Sequence, residues 1–166
     1  MKTLHAVLIP LFAFILWVAP AAAQSQPWDR LINRPARFIV LSEFGGAAVL
    51  DRETGLVWEQ APSTDKNLPA HSSCLKKNVG GRLGWRLPGI QELTSLIDQT
   101  QANPALPSGH PFSNVRLDAC YRSATLNDPF WSVSFANNGV VTTGDCSGGQ
   151  GGYNWCVRGG QGLDEQ

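Results

Sequence analysis

Ile90, Leu93, Leu96 and Ile97 recur at helical spacing between the polar Gln91, Thr94, Ser95 and Asp98. That period predicts a short amphipathic helix over 90–98 with one stripe on a core and the polar positions facing away. Pro88 suits a helix's first turn, where its missing N–H has no intrahelical partner, and Glu92 lies near the positive helix start. Just upstream, Trp85 and Arg86 predict an anchor: the ring wedged under the helix start, the guanidinium bonding carbonyls that no ladder satisfies. The Trp85-Arg86-Leu87-Pro88 segment is therefore read as structural.

Elsewhere the pattern is strand-like. Phe38-Ile39-Val40-Leu41 and Ala47-Ala48-Val49-Leu50 are apolar runs separated by Gly45-Gly46. Asp51-Arg52-Glu53-Thr54-Gly55 turns the chain into Leu56-Val57-Trp58-Glu59, so residues 47–59 predict a hairpin with Trp58 buried. Pro69 opens a second short helix within 68–77, where Ala70 and Cys74 share a face, and Asn78, Gly80 and Gly81 stop it. Residues 99–119 hold Pro104, Pro107 and Pro111 without a period and read as a long surface loop. Residues 120–124, 130–135, 140–143 and 153–158 read as strands, with Asn137-Asn138-Gly139 as a turn. Eight of the 17 glycines fall between Gly144 and Gly162 without a Gly-x-y period, which predicts a flexible loop and tail.

Lys2, the apolar run Ala6 to Val18 and Ala21-Ala22-Ala23 have the layout of a secretory signal peptide over 1–23, cut after Ala23. The run is too short for a comfortable membrane span, so no membrane insertion is expected after cleavage. Residues 24–36 then form a flexible leader and 161–166 a flexible tail. Without Lys2, 12 basic residues face 13 acidic ones, so no global charge draws the chain to nucleic acid. All four cysteines, Cys74, Cys120, Cys146 and Cys156, lie in the exported part, where an even number favours disulfides. The expected location is periplasmic or secreted.

Taken in order, Thr54-Gly55-Leu56-Val57-Trp58-Glu59, the Cys-bearing helix, Gly80-Gly81, Trp85-Arg86-Leu87-Pro88 with Glu92-Leu93, and Cys156-Val157-Arg158-Gly159-Gly160 resemble the Lcl C-terminal domain family. This is the bacterial domain first named from the end of a collagen-like adhesin. The resemblance implies a domain over 37–160 with an α+β, C-type-lectin-like fold. Two short helices would pack on a twisted, mostly antiparallel sheet, with the N- and C-terminal strands adjacent and a long loop region. It implies the pairs Cys74–Cys156 and Cys120–Cys146, and a structural role for Arg158. Two departures, Cys120-Tyr121-Arg122-Ser123 and Gly144-Asp145-Cys146-Ser147, bring in the second cysteine pair together.

Catalytic candidates are few. His71 and His110 each stand alone, and no Gly-x-Ser-x-Gly elbow, His-Glu-x-x-His pair or phosphate loop is present. Neither a Glu-Pro-Asn loop nor a Trp-Asn-Asp strand is there to bind calcium, although Asn127-Asp128-Pro129 and Asp145 offer oxygens. No cofactor is expected beyond that calcium option. Lys66, Lys76, Lys77, Arg82 and Arg86 form a basic set with Asp65 as the nearby acid; it reads as a solvated face, with a sulfated-glycan stripe as the alternative. Trp131, Phe135 and Trp155 read as core. Tyr121, Arg122, Asn127, Asp128, Asp145, Tyr153 and Asn154, near strand ends and beside the glycine-rich loop, are the expected recognition face. The expectation is an exported, non-enzymatic domain that binds a glycan or a protein at the envelope. An enzyme or maturation factor, or a structural subunit of an envelope assembly, is the alternative.

Overall fold

The computed structural model describes residues 37–66, 68–126, 130–144 and 152–160. The turn over 51–55 is built by one carboxylate. Asp51 accepts hydrogen bonds from the Glu53 N–H and the Thr54 hydroxyl, both at 3.0 Å, while Gly55 takes the left-handed backbone (φ 73°) that closes the turn. The hairpin expected over 47–59 therefore forms, as β2 (Ala48–Asp51) and β3 (Val57–Glu59), with Val49 opposite Trp58. β1 (Phe38–Val40) pairs antiparallel with β2, and β7 (Val157–Arg158) with β3. The sheet order is β1-β2-β3-β7. β1 and β7 thus lie at opposite ends of that order, whereas the resemblance implied adjacent terminal strands. A second antiparallel sheet holds β4 (Tyr121–Arg122), β5 (Trp131–Ser134) and β6 (Val140–Thr143). The architecture is α+β, with two sheets rather than one.

Side chains alternate across a strand, so the first sheet feeds two cores. On one face Val49, Trp58 and Val157 meet Leu93, Leu96, Leu106, Tyr121, Val133, Phe135 and Trp155. Trp155 is the hub: its ring lies 4.9–5.7 Å from those of Phe112, Tyr121, Phe135 and Trp58. On the other face Ala48 and Cys156 meet Phe44, Cys74, Trp85, Leu87 and Ala124. Trp85 is fully buried, as an anchor must be, with its indole N–H on the Arg82 carbonyl and its ring edge-on to Phe44. Its cluster contains no residue of the 90–98 helix, so the ring braces the disulfide side rather than the helix start. Phe135 and Trp155 are core as expected, and Trp131 is half-buried.

The helices are short for local reasons. α1 (Ala70–Leu75) starts after Pro69 and carries Cys74, which is joined to Cys156. α2 (Ile90–Thr94) ends earlier than its apolar period suggested. The Leu96 and Ile97 N–H groups bond Leu93 and Thr94, three residues back, and the Asp98 carboxylate captures Thr100. Asp98, expected outside, is consequently buried. The 99–119 segment lacks regular structure, but it is no mere surface loop: Ala105, Leu106, Phe112 and Ala119 are buried. The Ala105 N–H bonds Phe135 O at 2.7 Å, tying the segment to the strand core. Among the described residues, no helix is long and apolar enough to cross a membrane.

Candidate functional site

A cavity of about 250 Å3 opens between the start of α1 and the segment that leaves β4. Ala70 and His71 form one wall; Arg122 to Leu126, with Phe130, form the other. This second wall is rigid because its polar atoms are used inward. The Ala124 N–H bonds Pro88 O at 2.7 Å, and the Thr125 hydroxyl accepts the Ile90 N–H at 2.9 Å, which caps α2 from outside. The Ser123 hydroxyl donates to Trp131 O at 2.8 Å. Arg122 donates to the Leu68 and Lys66 carbonyls at 2.9 and 2.8 Å, holding the segment before α1 against β4. Leu126, 87% exposed, stands at the rim. The result is a mainly apolar cleft with a guanidinium and an imidazole beside it.

Among the described residues expected on a recognition face, only Arg122 lines this cleft. Asn127, Asp128 and Asp145 lie outside the described residues. Tyr121, Tyr153 and Asn154 are buried, so they do not form an exposed face. The Tyr121 hydroxyl accepts the Arg116 N–H at 2.6 Å within the aromatic core. Asn154 donates to the Ser73 hydroxyl at 2.8 Å and so links β7's approach to α1. Tyr153 bridges to Tyr121 and directs its hydroxyl at Asp118, 3.1 Å away. His71, Thr125, Leu126 and Phe130 were not in the expected site; a single apolar side chain between turn residues carries no periodic signal that would mark it as a rim.

The basic side chains are paired with acids, some of them far off in sequence. Lys66 and Arg116 both reach Asp118, at 3.0 and 3.3 Å, and both stand over the Tyr153 ring. Hydrogen bonds from Lys66 and then Arg116 hold the Asp118 carboxyl well below the usual carboxylate range. Burial pushes the Tyr121 hydroxyl well above the ordinary tyrosine value and pulls His110 below the ordinary histidine value. Lys77 pairs with the buried Glu59 at 2.6 Å, and Arg86 with Glu92 at 2.6 Å. Three members of the basic set are thus ion-paired, so the set is not a stripe of free cations. Among the described residues, no group of three or more His, Cys, Asp or Glu side chains is placed to hold a metal ion.

Cys120 is also disulfide-bonded, and its expected partner, Cys146, lies outside the described residues. No curated protein and no solved structure matches the chain. The family model of the Lcl C-terminal domain matches residues 47–158, from the start of the β2–β3 hairpin to the end of β7, and the chain belongs to that family.

Proposed function

We propose that this chain is an exported, non-enzymatic recognition domain of the cell envelope, adhesin-like, which holds a glycan or a protein segment in the cleft between α1 and the β4–β5 connection. The observation that carries the reading is the cleft itself: an apolar hollow with Arg122 and His71 beside it, on walls fixed by main-chain hydrogen bonds. Ligand sites are typically concave, mainly apolar and largely preformed, with a few polar groups for orientation. Membership of a family named from an adhesin's terminal domain points the same way.

Several finer features belong to the same reading. The fold is a C-type-lectin-like one, a view supported by the Cys74–Cys156 link between the first helix and the last strand. Cys120 pairs with Cys146. Residues 1–23 direct export and are removed, leaving Gln24 as the mature N-terminus in the periplasm or outside the cell. Binding needs no cofactor, so a chelator leaves it intact.

A glycan array and a panel of envelope-protein peptides, probed with purified mature protein with and without calcium, test this directly. Binding that Leu126→Asp and Ala70→Trp abolish at unchanged melting temperature is the expected result. Binding that survives both changes, or that follows calcium, overturns the cleft assignment.

A further inference from the structure

The three-stranded sheet ends on β6, and the two edges of that sheet are treated differently. Beside β4, the Arg122 N–H bonds Tyr153 O at 3.0 Å and the Tyr153 N–H bonds Cys120 O at 2.8 Å, so that edge is covered. On β6 the outward groups follow from the register. In an antiparallel pair, residues alternate between exchanging both main-chain bonds and pointing those groups away. The Gly144 N–H bonds Phe130 O at 2.6 Å. With Ser132 opposite Thr142 and Ser134 opposite Val140, those pairs are the bonded ones. The N–H and C=O groups of Val141 and Thr143 therefore point away from β5. Among the described residues nothing pairs with them.

Among the described residues, this edge carries none of the usual protection. Natural sheet edges are blunted with charges, proline or a covering segment. From Phe130 through Gly144 the chain has no Asp, Glu, Lys, Arg or Pro. Val140 and Val141 are 46% and 44% exposed.

We propose that β6 is a self-association strand whose occupant is β6 of a second copy of this chain, paired antiparallel about a two-fold axis at Thr142. Within β6, that centre pairs every outward group on both copies: Val141 of one faces Thr143 of the other, twice, giving four main-chain hydrogen bonds and a continuous six-stranded sheet. A two-fold contact must be complementary to itself. β6 meets that condition because donors and acceptors are arranged symmetrically about Thr142, and because an uncharged strand sets no like charges opposite one another. The ladder is short, so the association is weak and concentration-dependent.

Sedimentation equilibrium of the purified exported protein, from a few micromolar to about 1 mM, should show the mass rising from monomer toward dimer. Val141→Lys should raise the dissociation constant about tenfold or more. Val141→Pro should do the same, because it removes an outward N–H and leaves the bonds to β5 intact. Thr142→Cys sits on the axis in a non-bonded pair, where Cα atoms approach to about 4.5 Å, and should cross-link dimers in a glutathione buffer. Leu83→Cys, more exposed but elsewhere, should not. The cysteine pair decides the matter if circular dichroism shows that the Lys or Pro variant fails to fold. A protein that stays monomeric throughout, a dissociation constant unmoved by Val141→Lys, or cross-linking as efficient through Leu83→Cys as through Thr142→Cys overturns the proposal.

Discussion

Arg86 and Val157 exchange two main-chain hydrogen bonds, at 2.8 and 2.9 Å, so the Trp85-Arg86-Leu87-Pro88 segment lies against the last strand of the first sheet. Two of the segments that carry the family resemblance, Trp85-Arg86-Leu87-Pro88 and Cys156-Val157-Arg158-Gly159-Gly160, are therefore neighbours in space. The Arg86 side chain adds a fork onto both Glu92 oxygens, at 2.7 and 2.6 Å, and reaches Gly159 O at 2.7 Å. Glu92 in turn accepts the Gly89 N–H at 2.9 Å and so caps α2.

That fork sets the first expectation. The pair is partly exposed, so solvent screening trims its worth, yet Arg86→Ala also frees the cap and a main-chain carbonyl; the loss should be about 2 kcal/mol. Arg86→Lys should recover less than half of it, because a single ammonium cannot reproduce the planar fork. Urea denaturation of both variants measures this, and an Arg86→Lys protein as stable as the parent would show that the fork contributes nothing.

The Cys74–Cys156 bond closes a loop of sequence separation 82. In the chain-entropy account, such a closure stabilises by roughly 4–5 kcal/mol before native strain is subtracted. Cys74→Ala with Cys156→Ala should therefore lower stability by several kcal/mol while leaving the Cys120 bond in place. Calorimetry on the double variant reads the effect directly.

The 47–59 hairpin was legible because its signal is local: an Asx turn and a glycine at positive φ between alternating strands. The burial of Trp58 and Trp85, too, followed from size and setting. Tyr121 and Tyr153 were not legible as core, since β4 has two residues and too short a run cannot show alternation. What buries them is the 99–119 segment folding back, and its apolar residues have no period of their own. The ion-pair partners of the basic set were hidden for a related reason. Asp118 and Glu59, which neutralise Lys66 and Lys77, sit far along the chain, and only the tertiary fold brings them close.

Tyr153→Ala follows from that correction. With its ring buried beside Tyr121 and its hydroxyl on Asp118, truncation should cost about 3–5 kcal/mol rather than act only on binding. Thermal unfolding compared with Leu126→Asp, at the exposed rim, separates the two roles. A Tyr153→Ala protein with the parent's melting temperature would return that ring to the surface.

Asp118 gives a pH expectation with a definite sign. Its folded carboxyl titrates below the unfolded value of about 3.9, so the Lys66 and Arg116 contacts stabilise fully above that value and are lost as pH falls through the depressed folded value. The carboxyl is exposed, so added salt should weaken the effect. Carbon-13 NMR of the Asp118 carboxyl, in the parent and in Lys66→Ala, checks it: the variant should titrate closer to the ordinary aspartate value. An unchanged midpoint would mean that Lys66 does not hold the carboxylate in solution.

The buried pair of Arg37 and Asp51 permits a sharper test, because both side chains are almost wholly inaccessible. Arg37 donates to both Asp51 oxygens, at 2.9 and 2.8 Å, and to Ser95 O at 2.8 Å, so one guanidinium ties the start of β1 to the 51–55 turn and to the end of α2. Removing one partner of such a pair leaves the other charge desolvated and uncompensated, at a cost of about 3–5 kcal/mol. Asp51→Asn keeps the size of the side chain but removes the charge; Arg37 then keeps only the Glu53 carboxylate, 3.2 Å away and partly exposed, so the loss should fall toward the low end of that range. Arg37→Met should cost a similar amount, since it strands the carboxylate. The double variant should be less damaged than the two losses added together, because neither charge then remains to be compensated. A double-mutant cycle in urea gives the coupling, and strict additivity would show that the pair acts as two independent groups rather than as the tie between β1, the 51–55 turn and α2.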